Sequence, residues 1–284
     1  MSDADDLIAS GYDSFYVAWG RSPTLRQIWR EHVTGPDYPE EFAHISFLPL
    51  RHLRTLARGL DLSENQLVVD LACGAGGPGL WVARESRARL VGCDLSSVAV
   101  ERGAERATAL GMSGRAEFRH GSFEETGLAS EAADAVMTVD ALQYAPNKAQ
   151  AFAEVARILR PGGRFAFVAF ELAQSRVAGL GLWDDPVGDY RPLLEQTGFK
   201  VLSYEQIPGW QNHVTAGFGA VVAQRDSLEA ELGAAAAAAI VLEASITLEL
   251  RPYCGHVIAV ARSAPPSAAP ENRPRSSAPA AERD

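Results

Sequence analysis

Short apolar runs rich in β-branched residues alternate with longer amphipathic stretches through the middle of the chain. The runs predict strands at Leu67–Val69, Arg89–Cys93, Ala116–His120, Ala135–Val139, Arg164–Ala169 and Phe199–Gln206. The stretches between them carry helix signals, with Gly111 and Gly198 at helix ends and an Asn147-x-x-Gln150 capping pattern at a helix start. Strands and helices that alternate with this period predict an α/β fold with a parallel, doubly wound sheet.

The segment before this alternation is rich in aromatic residues. Residues 1–47 hold eight of the chain's 23 aromatic side chains. Four of them follow the i, i+3, i+4, i+7 spacing of one helix face: Tyr12, Phe15, Tyr16 and Trp19. Such a face either packs on the core or covers a ligand, and core packing is the better expectation for any single ring.

After Glu171 the regular alternation lapses. Helices are predicted at His213–Arg225 and Ser227–Leu248, and a last strand at Gly255–Ala261. The final residues are rich in Ala, Pro, Ser and charge without apolar periodicity, which predicts a disordered tail. The expected organisation is an N-terminal helical segment at 1–47, a main domain at 48–262 with cap elements at 172–250, and the tail at 263–284.

A glycine-rich turn follows the first predicted strand. Gly74-x-Gly76-x-x-Gly79 matches the dinucleotide fingerprint, and Asp94 follows at the expected distance of about 20 residues. The fingerprint alone is weak evidence, and Asp70 at the strand end decides between ligands, because a carboxylate repels a pyrophosphate and attracts an ammonium group. The first basic residue after the turn is Arg84. A ligand with a ribose, an amine and a sulfonium but no phosphate therefore fits better than NAD.

Five segments in order resemble the motifs of class I S-adenosylmethionine (SAM) dependent methyltransferases of the small-molecule type. They are Asp70–Gly76, Val91–Ser96, Gly121–Phe123, Asp134–Asp140 and Leu159–Arg164. The resemblance implies a Rossmann-like, mostly parallel seven-stranded sheet whose last strand pairs antiparallel at the sheet edge, and it implies SAM as the cofactor. It also implies that the N-terminal helices form a lid over the pocket, with helical cap insertions after the fifth strand.

The resemblance also implies which residues bind the cofactor. They are Asp70, Ala72, Gly74, Gly76, Asp94, Leu95, Gly121, Ser122, Phe123 and Asp140. Asp94 is expected to bind the ribose hydroxyls. Ser122 stands where the family usually has an acid, so it would accept the hydrogen bond of the adenine amino group without the assistance of a charge.

Methyl transfer is an in-line displacement that depends on positioning, and it needs a base only when the attacking atom must lose a proton. Candidates for substrate contact are the polar and aromatic residues expected around the pocket: Tyr16, His44, Gln143, Tyr144, Glu171, Trp183, Trp210 and His213. Among these, His213 is the first choice for a base, with His44 and Tyr16 as the other catalytic candidates. For each histidine, a structural or solvated role is the more common one.

Composition and net charge exclude several classes of partner and location. The net charge of −10 argues against a nucleic-acid partner, and no apolar run reaches transmembrane length. The acidic N-terminus does not resemble a signal peptide, and the three cysteines are expected to be reduced, so a cytoplasmic location is expected. The expected oligomeric state is a monomer or a homodimer. Asp184-Asp185 resembles a metal pair only weakly, and no metal is expected. The leading hypothesis is a SAM-dependent methyltransferase for a small molecule such as a secondary metabolite; the alternatives are a SAM-binding protein with other chemistry and a nicotinamide-dependent oxidoreductase.

Overall fold

A computed structural model describes residues 3–172 and 185–264 of the chain. Within these ranges seven strands form one sheet: β1 (Leu67–Leu71), β2 (Arg89–Asp94), β3 (Ala116–His120), β4 (Ala133–Val139), β5 (Leu159–Leu172), β6 (Phe199–Gln206) and β7 (Cys254–Ser263). Their order across the sheet is β3-β2-β1-β4-β5-β7-β6. Within this sheet, β7 alone runs in the opposite direction to the other six strands. The predicted mostly parallel, doubly wound seven-stranded sheet is confirmed.

The position of β7 differs from the expectation. It was expected at the sheet edge, but it lies between β5 and β6, and β6 forms the edge. The long antiparallel ladder between β5 and β7 runs from Arg164 opposite Arg262 to Leu172 opposite Cys254. This ladder explains why β5 extends well beyond its predicted end at Ala169.

Helices cover both faces of the sheet. They are α1 (Asp3–Arg21), α2 (Pro23–Trp29), α3 (Leu50–Leu60), α4 (Gly77–Ser86), α5 (Ser97–Ala109), α6 (Lys148–Ile158), α7 (Arg191–Gln196), α8 (Trp210–Ala223), α9 (Arg225–Leu232) and α10 (Ala234–Leu250). The capping prediction for α6 is confirmed, since the Asn147 side chain accepts the backbone N–H of Gln150. The long helix predicted from Ser227 to Leu248 is wrong in one respect: Gly233, at φ 85°, separates α9 from α10.

Alternate residues of the central strands face two separate apolar cores. Val68 packs into the core that also holds Trp19 and Trp29, whereas Val69 packs into the core on the opposite face of the sheet. A strand buried on both faces is typical of parallel sheets. Because Ala18, Trp19 and Trp29 share a core with the sheet and Phe15 packs against it, the 1–47 segment is packed core from the later part of α1 onward.

The end of β7 shifts the expected start of the tail. Ser263 is buried, and its hydroxyl donates to the carbonyl oxygen of Arg160 at 2.9 Å. The N–H of Ala264 donates to the carbonyl oxygen of Gly198 at 3.0 Å. The ordered fold therefore includes both residues, while the predicted tail from 265 to 284 lies outside the described residues.

Three findings bear on the other expectations from composition. Cys73 and Cys93 are buried free thiols and Cys254 is a half-buried one. Across the described ranges, none of the helices combines the length and apolar character needed to span a bilayer, and no group of three or more His, Cys, Asp or Glu side chains is placed to hold a metal ion. Asp184 lies outside these ranges, and Asp185 accepts the backbone N–H of Lys148.

Candidate functional site

The candidate site is built around the turn between β1 and α4. The backbone is left-handed at Ala72 (φ 51°), Gly74 (φ 55°) and Gly76 (φ 74°) before α4 begins. Glycine adopts this conformation readily, whereas it is strained for a residue with a Cβ atom. Gly77 is needed for a different reason, because a Cβ atom there would lie 2.3 Å from the carbonyl oxygen of Phe42. The turn is thus packed directly against the segment that precedes α3.

Two buried carboxylates flank this turn at the carboxyl ends of β1 and β2. Asp94 accepts the backbone N–H groups of Gly74 at 2.7 Å and Ser96 at 2.9 Å, and Asp70 accepts the N–H of Gly79. Among the described residues, neither acid forms an ion pair. Burial raises the pKa of both carboxyls, and the nearby charge of Asp94 raises the pKa of Asp70 further. A cationic ligand placed beside them would stabilise their ionised forms.

A cavity of about 50 Å³ lies over the turn. Asp70 and the turn line one part of it, and Tyr16, His44 and Arg106 line the rest. Pockets for ligands of drug size usually enclose roughly 300–1,000 Å³, so this cavity is closed to such a ligand until a wall moves. Tyr16 is the wall nearest the turn, because a Cβ atom on Gly74 would lie 2.0 Å from its phenol oxygen.

Polar contacts hold α1 over the cavity. Asp13 Oδ1 accepts the hydroxyl of Ser96 at 2.5 Å and the backbone N–H of Val98 at 3.3 Å. The guanidinium of Arg102 donates to the carbonyl oxygen of Tyr16. Asp13 thereby places a negative charge at the N-terminus of α5, where the helix dipole favours it. These contacts make α1 the cover of the cavity.

His44 lines the cavity and holds a buried ring N–H. Its Nδ1 accepts the backbone N–H of Ser46 at 3.2 Å and lies 2.6 Å from the Ser46 hydroxyl. Because a backbone N–H can only donate, Nδ1 carries no proton and the neutral ring carries its proton on Nε2. Burial lowers the pKa of His44 to about 4, so the ring is neutral near pH 7. Nε2 is buried and has no hydrogen-bond partner among the described residues.

Comparison with known proteins agrees with this geometry. Residues 68–163 match the family described as "Methyltransferase domain". That range contains the turn, both buried acids and the switch point between β1 and β4, where open α/β sheets bind their ligands. Residues 68–163 are thus similar to methyltransferase domains.

Individual relatives and solved structures extend the comparison. The 27-O-demethylrifamycin SV methyltransferase of Amycolatopsis mediterranei (strain S699) is 29% identical over 59% of this chain and 60% of its own length. The methyltransferase GfsG of Streptomyces halstedii is 31% identical over 55% of this chain and 61% of its own length. The chain thus spans about three-fifths of these relatives. In fold, it resembles the [4+2]-cyclase SpnF, with a TM-score of 0.71 and 22% identity over 90% of this chain and 95% of that one.

Asp140, predicted to bind the cofactor, lies directly after β4 with φ 52°. Its Oδ2 accepts the backbone N–H of Phe47 at 2.6 Å, and its Oδ1 lies 2.7 Å from Nε2 of the fully buried His256. The His256 ring stacks on Phe170 with centroids 4.2 Å apart. Asp140 therefore ties the segment before α3 to β7, while its neighbour Val139 lines the cavity.

The hydrogen bonds of Ser122 argue against the predicted adenine contact. The Ser122 hydroxyl oxygen accepts the backbone N–H groups of Glu124 at 3.2 Å and Glu125 at 2.9 Å. With both lone pairs engaged, the hydroxyl offers a donor, whereas the adenine amino group needs an acceptor. Six other predicted cofactor residues also lie outside the cavity lining: Gly76, Asp94, Leu95, Gly121, Phe123 and Asp140.

His213, the first choice for a base, lies away from the cavity on α8. Its Nδ1 lies 3.3 Å from the carbonyl oxygen of His32, which can only accept, so Nδ1 carries the proton. Its Nε2 lies 3.1 Å from Nη2 of Arg51, a group that can only donate. Both ring nitrogens are thus engaged, and the geometry argues against His213 as a base.

The remaining substrate candidates that the structure describes do not line the cavity. Tyr144 meets the cover helix, with its ring 5.5 Å from that of Tyr12. Glu171 and Trp210 are held within the fold, the first by the Tyr204 hydroxyl at 2.6 Å and the second against Phe170. Gln143 donates to the carbonyl oxygen of Asp140 at 2.7 Å. Trp183 lies outside the described residues.

Sequence reasoning missed Arg106. Arg84 was taken as the first basic residue near the turn, but it pairs with Glu41 at 3.2 Å. Arg106 reaches the cavity from α5, where it shares a face with the small buried residues Ala99 and Gly103. The sequence signal for Arg106 was its position on the same helix face as two small, apolar residues, which leave room for a long side chain to reach inward.

Proposed function

We propose that this chain binds SAM in the crevice at the carboxyl ends of β1 and β4 and transfers its methyl group to a small-molecule acceptor. The observation that carries the proposal is the pair of buried acids, Asp70 and Asp94, which flank the glycine turn without an ion-pair partner in the described part of the chain. SAM supplies an ammonium, a sulfonium and ribose hydroxyls to such a site. A nicotinamide dinucleotide would bring its pyrophosphate against the same carboxylates.

SAM, when bound, supplies an electrophilic methyl group, and the protein must then position the acceptor and exclude water. Positioning of this kind can contribute roughly 7–11 kcal/mol to a reaction barrier. The α1 cover is suited to the task, because Tyr16 and Trp19 are buried beside the turn and α1 closes the cavity. The aromatic face could also contact the sulfonium by cation–π interaction.

The acceptor is proposed to be a small, partly apolar metabolite. Support comes from the relatives that are named as enzymes acting on rifamycin and sterol compounds. The net charge of −10 is unfavourable for a nucleic-acid partner. A cytoplasmic location and a monomeric or homodimeric state belong to the same proposal.

Isothermal titration tests the cofactor. SAM and S-adenosylhomocysteine should bind, whereas NADH and NADPH should not. Asp94→Asn should weaken SAM by ~1.5–3 kcal/mol, the value of a hydrogen bond to a charged group. Glu101→Gln, at an exposed position on α5, is the control and should bind like the native protein. Binding of NADH without binding of SAM would contradict the proposal.

A second experiment tests the chemistry. The protein is incubated with methyl-labelled SAM and a metabolite extract of the source cells, and products are sought by mass spectrometry. Gain of one labelled methyl group by an extract component supports methyl transfer. The same fold occurs in a [4+2]-cyclase, so SAM binding with no labelled product would favour the alternative of a SAM-binding protein with other chemistry.

A further inference from the structure

Arg106 brings a positive charge into the cavity without a counter-ion. Its Nη1 donates to the carbonyl oxygen of Ala43 at 2.9 Å, and within the described ranges no carboxylate forms an ion pair with it. A largely desolvated cation is unfavourable unless an anion or several hydrogen bonds compensate it. The guanidinium has five N–H donors in a fork that matches a carboxylate, so most of them are available to a ligand.

His44 adds a second unused donor to the same cavity. The ring is 8% exposed, and its Nε2–H is buried without an acceptor among the described residues. The Tyr38 ring lies edge-on to His44 with centroids 4.7 Å apart, and its buried hydroxyl also lacks a partner in that part of the chain. Buried donors without acceptors are rare in folded proteins. A ligand with acceptor oxygens would satisfy these groups.

We infer that Arg106 and the Nε2–H of His44 bind the α-carboxylate at the amino-acid end of SAM, with Asp70 of the same cavity binding the adjacent α-ammonium. This inference rests on the proposed function and names the residues of this chain that would hold the carboxylate of its cofactor. An α-amino acid carries both charges on one carbon atom, so it fits a cavity that holds one unpaired carboxylate and one unpaired guanidinium. A carboxylate on the methyl acceptor would satisfy Arg106 but would leave Asp70 without its cation.

The assignment changes the role of His44. It was a candidate base, yet the Ser46 N–H occupies Nδ1 and leaves a proton on the buried Nε2. In this arrangement His44 binds the cofactor as a neutral donor. His44 lies outside the matched range 68–163, so this contact is a property of the chain's own N-terminal segment.

The carboxylate contact predicts selectivity against decarboxylated SAM, which keeps the sulfonium, the ribose and the amine. By titration calorimetry, the native protein should bind SAM at least about tenfold more tightly than decarboxylated SAM, a difference of about 1.4 kcal/mol. Arg106→Gln should weaken SAM by about tenfold or more and leave decarboxylated SAM within about twofold, since only the first ligand loses a charge-assisted contact. His44→Phe should shift the same ratio in the same direction by a smaller factor.

Arg54→Gln, at an exposed arginine of α3, is the matched control and should keep the native ratio. The comparison of the two ligands on the native protein needs no variant, so it holds even if Arg106→Gln fails to fold. Equal affinity of the native protein for the two ligands would overturn the inference and leave the proposed function intact. Equal weakening of both ligands by Arg106→Gln, or no weakening of SAM, would also overturn it. Failure of both ligands to bind the native protein would instead contradict the proposed function.

Discussion

Asp13→Asn tests whether α1 is a movable cover or a fixed part of the core. Asn keeps an acceptor oxygen for the Ser96 hydroxyl but loses the negative charge. A charge-assisted hydrogen bond is roughly twice as strong as a neutral one, so the loss is about 1 kcal/mol. Loss of the charge at the N-terminus of α5 removes a further ~0.3–1 kcal/mol. The docked position of α1 should therefore be destabilised by about 1–2 kcal/mol.

Hydrogen exchange measured by mass spectrometry reports this change directly. If α1 opens locally, exchange of its backbone amides should rise about 5- to 30-fold in Asp13→Asn, which is the factor that 1–2 kcal/mol gives. Asp226→Asn is the matched control, because Asp226 is an exposed acid in the first turn of another helix, α9. It should leave the exchange of α1 unchanged.

Two results would refute the reasoning about the cover. One is unchanged exchange of α1 in Asp13→Asn. The other is exchange of α1 that equals that of the central strands in both proteins, since this would mean that α1 opens only with global unfolding. Addition of S-adenosylhomocysteine should slow the exchange of α1 in the native protein, whereas equal protection with and without ligand would show that α1 does not respond to it.

Two further predictions concern stability. The pKa of His44 is about 4 in the folded protein against an ordinary value near 6.5. The unfolded chain therefore takes up a proton first as the pH falls, so His44 favours folding above about pH 6.5 and loses this contribution towards pH 4. Urea unfolding should show that the native protein loses about 2 kcal/mol more than His44→Gln between pH 7 and pH 5; equal losses would contradict it. Deletion of 265–284 should leave the melting temperature unchanged because that composition buries little apolar surface. Deletion from Ser263 onward should lower the melting temperature by several degrees, because it removes the hydrogen bond from Ser263 to Arg160. Equal effects of the two deletions would contradict a boundary of the ordered fold after Ala264.

The elements that the sequence predicted well are those with local signals. The strand Ala116–His120 and the strand Phe199–Gln206 have the bounds that alternation and turn residues predicted. Asn147 caps α6 through its own side chain three residues from its partner. Gly111 follows α5 with φ 68°, as a C-terminal cap requires. In each case the cause lies within a few residues of the effect.

Predictions were wrong where the structure depends on a contact between residues distant in sequence. They were also wrong where a strong helix propensity outweighed a helix-ending glycine. The alanine run beginning at Ala234 has strong helix propensity, so the sequence predicts one helix that continues through Gly233. In the structure, that glycine ends α9, and α10 starts after it. The place of β7 in the sheet depends on which strand it pairs with, and no local pattern carries that information. The proton position on His44 depends on the backbone N–H of Ser46, which only the folded geometry reveals.

In the candidate site, too, the sequence predicts which residues are present but not which hydrogen bonds they form. These hydrogen bonds connect the cofactor site to α1. Asp94 is predicted to bind the ribose hydroxyls, and its two oxygens also accept the N–H groups of Gly74 and Ser96. The Ser96 hydroxyl in turn donates to Asp13 of the cover helix. A ligand that draws on Asp94 must therefore share it with Ser96, and Ser96 also anchors α1. Cofactor binding and closure of the cover therefore involve the same hydrogen-bonded residues. We expect a substitution at Asp13 to change cofactor affinity, and a substitution at Asp94 to change how firmly α1 is held.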